Sequence, residues 1–391
     1  MTNLERLKLQ LSGKETDRIM TYDYMDNSEV LKAYGGWLPG KQYSFEELLE
    51  INAKAHKGIG LDLTRAYHDP SNHWMKGKVE NWERFLGVSP GDFSVETGGD
   101  TAWISKRPFA NVNELEKKMP QMPDIAAVRD WYTPVLEQIT SVFSSFDRVY
   151  IGGTEGPLSD AYTYTDIELF SMAIYDAPEL VERLLSVFGE FSRCFTSVYA
   201  ENDTPPLQFM GEDIAGTGGS MFSPVFIEEK CLPLWNEIAA PIRERGGKFI
   251  YHTDGRYGSL LELIFDKFNA DALNPIERCG CNDIFEIVEQ YPDRFYFGNV
   301  CCETTLPFGN RWDVEDETLE LIERLGPSRN IFIGSSSEMH ESIPLLNVET
   351  LYGTVQEYGE YPIDIERIRR RRADIAPKLE TRSEEQASSW Q

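Results

Sequence analysis

The chain lacks any run approaching the roughly 18 consecutive apolar residues of a membrane-spanning helix. No spanning segment is therefore expected. Its first residues, Met1-Thr2-Asn3-Leu4-Glu5-Arg6-Leu7-Lys8, place charges where a secretory signal needs an apolar stretch. Cysteine is sparse for 391 residues: six, at positions 194, 231, 279, 281, 301 and 302, none in C-x-x-C spacing. That argues against a disulfide framework and for a reducing, cytoplasmic setting. Basic residues are outnumbered, 38 Lys+Arg against 65 Asp+Glu, leaving a formal net charge of -27. A surface so acidic repels nucleic acid and anionic membranes, so neither is expected as a partner. Two signatures are missing as well. No Gly-rich nucleotide fingerprint follows the first strand, and no G-x-S-x-G marks a nucleophilic serine.

What is present is a large apolar fraction, 41% hydrophobic and 12% aromatic, sufficient for an extensive core. From about residue 147 a short apolar run repeatedly gives way to an amphipathic helix. The runs are Asp147–Gly153, Leu207–Asp213, Lys248–Asp254, Ala270–Ile276, Arg294–Val300 and Asn330–Ser336. They lack strict alternation, as parallel strands buried on both faces should. Two further candidates, Arg18–Tyr24 and Leu61–Tyr67, flank a helix over Phe45–Lys57. Eight strands with right-handed crossovers predict an α/β fold, a single (β/α)8 TIM barrel over residues 1–358 with an N-terminal helical extension. A doubly wound open sheet is the alternative.

Two helices show their buried stripe directly. After Asp176-Ala177-Pro178 it is Leu180, Leu184, Phe188 and Phe191. After Ser223-Pro224 it is Ile227, Cys231, Leu234, Ile238 and Ile242, with a kink predicted at Pro233. Residues 68–146, rich in Trp, Pro and Asp, fit the repeat poorly and read as an inserted cap over the barrel mouth. Residues 359–391 read as a polar tail with a frayed end, its Arg369–Arg372 run a solvated helix face.

In such barrels chemistry sits at the carboxyl ends of the strands. The sharpest element there is Tyr251-His252-Thr253-Asp254-Gly255. Side chains alternate along a strand, so His252 and Asp254 share a face. An imidazole and a carboxylate so placed can bind a divalent metal or act as an acid–base pair. Equally, the Asp can simply orient the His. Glu212 and Asp213 face opposite ways, so one of them should join His252 as ligand or general base; the other reading is a helix-capping or solvent-facing acid. Cys301 and Cys279 are the cysteines best placed to add a thiolate, though buried cysteines are often only small apolar residues. Other strand-end groups, Asp23, Glu155, Asn274, Glu277 and Ser336, are candidates for substrate contact. Tyr22 and Tyr24, with Trp37 and Trp103, would supply aromatic walls, or are ordinary core and lid aromatics.

Taken together these residues resemble the uroporphyrinogen decarboxylase superfamily, which includes tetrapyrrole decarboxylases and methyltransferases working with corrinoid proteins or coenzyme M. The likeness is carried by the opening Asn3-Leu4-Glu5-Arg6 and Asp17-Arg18, by Gly153-Thr154-Glu155-Gly156-Pro157, and by Phe222-Ser223-Pro224. His252-Thr253-Asp254-Gly255, Leu273-Asn274-Pro275, Gly298-Asn299 and Ile343-Pro344 extend it over most of the chain. It implies a (β/α)8 barrel. Decarboxylases of this group carry an arginine-rich loop after the first strand; here Thr21-Tyr22-Asp23-Tyr24-Met25-Asp26 is acidic and aromatic. The zinc methyltransferases use His-x-Cys and a distant Cys; here His252 matches, Asp254 replaces the first Cys, and serines 335–337 stand at the second. The resemblance then implies a harder site, His252 and Asp254 with Glu212 or Asp213 and Cys301, holding zinc or another divalent ion. The activity expected is metal-assisted methyl transfer of the O-demethylase type, with His252, Asp254 and Asp213 as catalytic groups. The methyl group would pass from a small molecule to a corrinoid carried by a separate protein. The alternative is decarboxylation of a tetrapyrrole or a smaller carboxylate. Self-association into a homodimer is left open.

Overall fold

The computed structural model describes residues 1–98, 101–278 and 282–389. Cys279 and Cys281 lie outside them. Nine short strands carry the fold: β1 (Met20–Asp23), β2 (Leu63–Thr64), β3 (Val149–Tyr150), β4 (Gly153–Glu155), β5 (Leu207–Gly211), β6 (Lys248–His252), β7 (Ala272–Asn274), β8 (Phe295–Phe297) and β9 (Ile331–Ile333). β1 and β5 are buried at every position, which is why their sequences do not alternate.

The chain forms two compact units. The first comprises Met1–His68, Val142–Tyr150 and Ala272–Gln391. Within it, parallel strands run in the order β3-β2-β1-β9-β8-β7. The second comprises Asp69–Ser141 and Ile151–Asp271, with parallel strands in the order β4-β5-β6. All eight stretches read as strands contain one, and helices alternate with them, so the chain has the α/β class expected of the barrel. The run expected at Asp147–Gly153 is divided: β3 belongs to the first unit and β4 to the second. Between them Gly152 adopts φ +61°, a left-handed conformation that interrupts the strand.

The N-terminal helix, Asn3–Leu11, starts with a capping box in which Thr2 and Glu5 satisfy each other's backbone N–H. The helix expected at Phe45–Lys57 spans Phe45–Ile59, begins with a second capping box (Ser44 and Glu47) and ends at Gly60, φ +86°. Residues 68–146 hold the helices Trp74–Phe85, Val112–Lys117 and Ile125–Ser145 and an antiparallel pair, Ser94–Gly98 with Thr101–Lys106. Among the described residues no helix is long and apolar enough to cross a membrane.

Two local expectations need correction. Leu180, Leu184, Phe188 and Phe191 are buried as the stripe requires, but in the helix after Pro224 the buried residue is Trp235 rather than Leu234. A π turn over Ile227–Cys231, closed by the Leu232 N–H bonding Ile227 O, precedes it. Trp235 follows Cys231 by four residues, so the stripe keeps helical spacing and continues through Ile238 and Ile242. The π turn accommodates Pro233, which has no N–H to donate. The arginine run, in turn, is not merely solvated. It lies on the helix Ile365–Ser389, and Arg371 pairs with Glu315 at 2.5 Å. Arg372 pairs with Asp316 at 2.9 Å and Glu323 at 3.0 Å, all on the helix Arg311–Leu325.

Candidate metal centre

At the carboxyl end of the second unit's strands, β5 runs into Glu212-Asp213 and β6 into Thr253-Asp254. The two loops are stitched together by backbone. Glu212 N–H donates to His252 O at 2.9 Å, and Arg256 N–H donates to Gly216 O at 3.0 Å. Ile214 N–H donates to Thr253 Oγ1 at 3.1 Å. Gly255 makes this approach feasible: its φ is +81°, and a Cβ there would meet Ala215 O at 2.7 Å.

The strand alternation then sorts the acids. Gly211 and Asp213 share one face and Glu212 the other. On the first face His252 Nε2 lies 3.7 Å from Asp213 Oδ1 and 3.7 Å from Asp254 Oδ2. Asp254 N–H also donates to Asp213 Oδ1 at 3.1 Å. One ligand atom from each of the three lies within 4.8 Å of the others, a spacing that a single cation can bridge. The imidazole is 5% exposed, and the Phe209 ring packs on it with centroids 4.9 Å apart. Ser159 Oγ accepts the Asp213 N–H at 2.8 Å, and Tyr162 OH donates to Asp213 O at 3.2 Å. Burial, and then repulsion by Asp254, raise the Asp213 pKa, against the attraction of His252.

Glu212 points to the opposite face and is fully buried. It accepts the backbone N–H groups of Leu158 (3.1 Å) and Ser159 (2.8 Å), at the start of the helix Pro157–Thr165, and the Trp235 indole N–H at 2.8 Å. Pro157 begins this helix, so the next two N–H groups are among its unsatisfied donors. Burial pushes the Glu212 carboxyl up to about 7 despite these bonds. These bonds tie helix 157–165 and Trp235 to the end of β5.

A lysine absent from the sequence-derived candidates reaches the same region. Lys78, on the helix Trp74–Phe85, lies 3.0 Å from Asp160 and 3.6 Å from Glu155. Burial opposes its charge, but Asp160 and Glu155 outweigh that and raise its pKa. Burial raises the Asp160 pKa, against the pull of Lys78.

A family model described as uroporphyrinogen decarboxylase (URO-D) matches residues 92–358, more than half of the chain. The chain belongs to this family. A solved methyltransferase from Methanosarcina mazei has the same fold: TM-score 0.70, 17% identity, covering 92% of this chain and 99% of that one. A D-psicose 3-epimerase solved in the presence of D-fructose has TM-score 0.36 and 11% identity, over 65% of this chain and 85% of that one. A sugar phosphate isomerase/epimerase from Parabacteroides distasonis has TM-score 0.35 and 11% identity, over 63% and 94%. No curated protein matches the chain.

Most of the remaining candidates of this URO-D family chain fall in the first unit. Asp23 is buried on β1 and accepts from Ser335 N–H (2.8 Å), Ser335 Oγ (2.5 Å) and Tyr352 OH (2.6 Å), with burial raising its pKa to about 6. Tyr22 is buried edge-on against Phe297, and Arg65 lies over the Tyr24 ring at 5.0 Å. Asn274, before the cis peptide to Pro275, donates to Phe297 O at 2.9 Å, and Glu277 is buried. Ser336 Oγ accepts the Cys302 N–H at 3.0 Å, while the Cys301 thiol accepts from Thr304 at 3.0 Å. Trp103 is 46% exposed in the second unit.

Proposed function

We propose that this chain is a metal-assisted methyltransferase of the O-demethylase kind. It moves a methyl group from a small methoxylated donor to a reduced corrinoid carried by a separate protein. The observation that supports this most is the convergence of Asp213, His252 and Asp254 within 4.8 Å. One imidazole and two carboxylates form a hard donor set that fits a divalent ion, zinc first, and three protein ligands leave a position for substrate. An ion bound there would act as a Lewis acid on the donor oxygen, which keeps the C–O electron pair when the methyl group leaves.

The chain's own groups account for the rest. Phe209 fixes the imidazole plane, and Ser159 and Tyr162 fix the backbone that carries Asp213. His252 and Asp254 stand two positions apart at one strand end, so they hold their mutual geometry through the backbone. The alkoxide or phenoxide oxygen left behind takes a proton from water at the open side. The shared fold of the M. mazei methyltransferase supports the reading at the level of architecture.

The test has two parts. Metal content is measured on purified protein and after exhaustive chelation and reloading with zinc. Methyl transfer from methoxybenzyl donors to reduced corrinoid protein is then followed by absorbance, for the native chain and for His252→Ala. Stoichiometric zinc and a loss of at least a hundredfold in the variant are expected. A chain that binds no divalent ion, or that keeps its turnover without His252, sinks the reading. Decarboxylation of uroporphyrinogen at an ordinary enzymatic rate would replace it.

A further inference from the structure

Three parallel strands of the first unit begin beside one another, and a charged residue lies just ahead of each. Arg18 stands before β1, Asp62 before β2 and Arg148 before β3. Their side chains line a cavity of about 340 Å³, a size that small ligands occupy. Lys57, in the last turn of helix Phe45–Ile59, and Gln356, on helix Leu345–Tyr358, line it as well. Gln356 closes one side by donating from Nε2 to Ile59 O at 3.2 Å. It can do so because Gly60 has no side chain: a Cβ there would meet that nitrogen at 1.6 Å.

The lining holds three cations and one carboxylate, a positive surplus on a chain whose net charge is -27. Asp62 is engaged in holding the strand ends. It accepts from both terminal nitrogens of Arg18, at 2.5 and 2.8 Å, and from the Thr21 N–H at 3.1 Å. Burial opposes the Arg18 charge, but Asp62 outweighs it and the pKa rises. Arg148 is not compensated in this way. Its Nη1 bonds Leu61 O at 2.8 Å and meets Asp62 only at 3.5 Å, and its Nη2 makes no hydrogen bond among the described residues. Asp147 stands 4.0 Å from that nitrogen and already accepts the Asn3 N–H at 2.9 Å. Burial, joined by repulsion from Arg18 and Arg6, lowers the Arg148 pKa although Asp62 and Asp147 favour its charge. Lys57 is exposed and has no ion-pair partner among the described residues. Holding Asp62 needs one guanidinium; the second, and the ammonium, are surplus to that task.

We propose that this cavity binds a small phosphate-bearing anion, with Arg148 and Lys57 as its cationic contacts. A phosphate monoester is close to a dianion at neutral pH, which matches the surplus. A guanidinium fork suits phosphate oxygens and an ammonium adds a point charge. Val355 gives the body of the ligand an apolar wall. The acidic surface elsewhere repels free anions, so such a ligand is held only where cations are gathered. No residue of the metal triad takes part, and this site and the methyltransferase reading can each fail alone.

The experiment is calorimetric titration of the full-length chain with glycerol 3-phosphate, inorganic phosphate, glycerol and succinate. Both phosphates should bind one to one, more weakly as ionic strength rises. Glycerol should not bind, and succinate, a dianion without phosphorus, should bind about tenfold more weakly than glycerol 3-phosphate. Lys57→Gln, an exposed change that leaves the Asp62 contacts intact, should weaken glycerol 3-phosphate about fivefold. Lys57→Glu, which reverses the charge, should weaken it further. Zinc can also take phosphate, so the titration is repeated on His252→Ala, where the affinity should be retained. Loss of binding in His252→Ala assigns the phosphate to the metal centre and overturns the inference. So does a native chain that binds neither phosphate, or that binds glycerol or succinate equally well. Affinity unchanged in Lys57→Glu overturns it too.

Discussion

Glu212 and Trp235 are joined by a 2.8 Å hydrogen bond from the indole Nε1 to a carboxylate oxygen, both side chains being fully buried. Trp235, and not Leu234, is the buried residue at this point of the helix. Trp235→Phe keeps most of the packing volume and leaves that oxygen short of a donor. A loss of about 1–3 kcal/mol is expected in urea unfolding, with little change in denaturant slope. An unchanged midpoint would mean that the bond contributes nothing.

The same carboxyl makes stability depend on pH in a defined direction. Its pKa rises from 4.5 to about 7 on folding, through burial. Between those values the folded state holds the proton more tightly than the unfolded state. Stability from this group is therefore greatest below pH 4.5 and falls as pH rises to 7, by on the order of 3 kcal/mol. Glu212→Gln removes that slope. Melting curves of the two proteins at pH 5 and 7.5 should show the variant gaining on the native chain at the higher pH.

Cation binding at the triad should compete with protons. Burial and the neighbouring Asp254 raise the Asp213 pKa, so a bound divalent ion displaces a proton that the empty site holds more firmly than usual. Zinc affinity should increase as pH rises, with proton release detected by titration in buffers of different ionisation enthalpy. Asp254→Asn should weaken zinc by at least tenfold. Affinity independent of both changes would place the ion elsewhere.

His68 shifts in the same direction as Glu212, but through its ion-pair partners rather than through burial. Its Nδ1 faces Asp26 and its Nε2 faces Glu341 at 3.4 Å and Ser28 Oγ at 3.3 Å. Burial opposes the charged form, but the hydrogen bonds to Asp26 and Glu341 prevail and raise the pKa to about 9. The resulting stability is fully present below pH 6.5 and is lost as pH climbs through 9. His68→Gln should be markedly less stable than the native chain at pH 6 and nearly equal to it at pH 9.5. A constant difference across that range would remove the charge from the explanation.

Asp62, buried ahead of β2, accepts from both terminal nitrogens of Arg18 (2.5 and 2.8 Å), from Arg148 at 3.5 Å and from the Thr21 N–H at 3.1 Å. Asp62→Ala leaves two guanidinium groups without their shared anion, at a cost of about 3–5 kcal/mol. Chemical denaturation would reveal it. A cost below 1 kcal/mol would show that water replaces the carboxylate fully.

The period of two along a strand was enough to place His252 and Asp254 on one face, and unalternating apolar runs were enough to locate the parallel strands. Both are local properties, set by backbone geometry over a few residues. Choosing Asp213 over Glu212 required more. It depended on where helix 157–165 presents its free N–H groups and on the Trp235 indole within reach of Glu212, neither visible in spacing alone. Lys78 was illegible for a different reason: it meets Asp160 across 82 residues, and no local pattern carries such a pairing. The sequence by itself determined the α/β class, the strands and the chemistry available at their ends. Tertiary structure alone decided which of those groups converge, because convergence is set by register and packing between segments far apart in the chain.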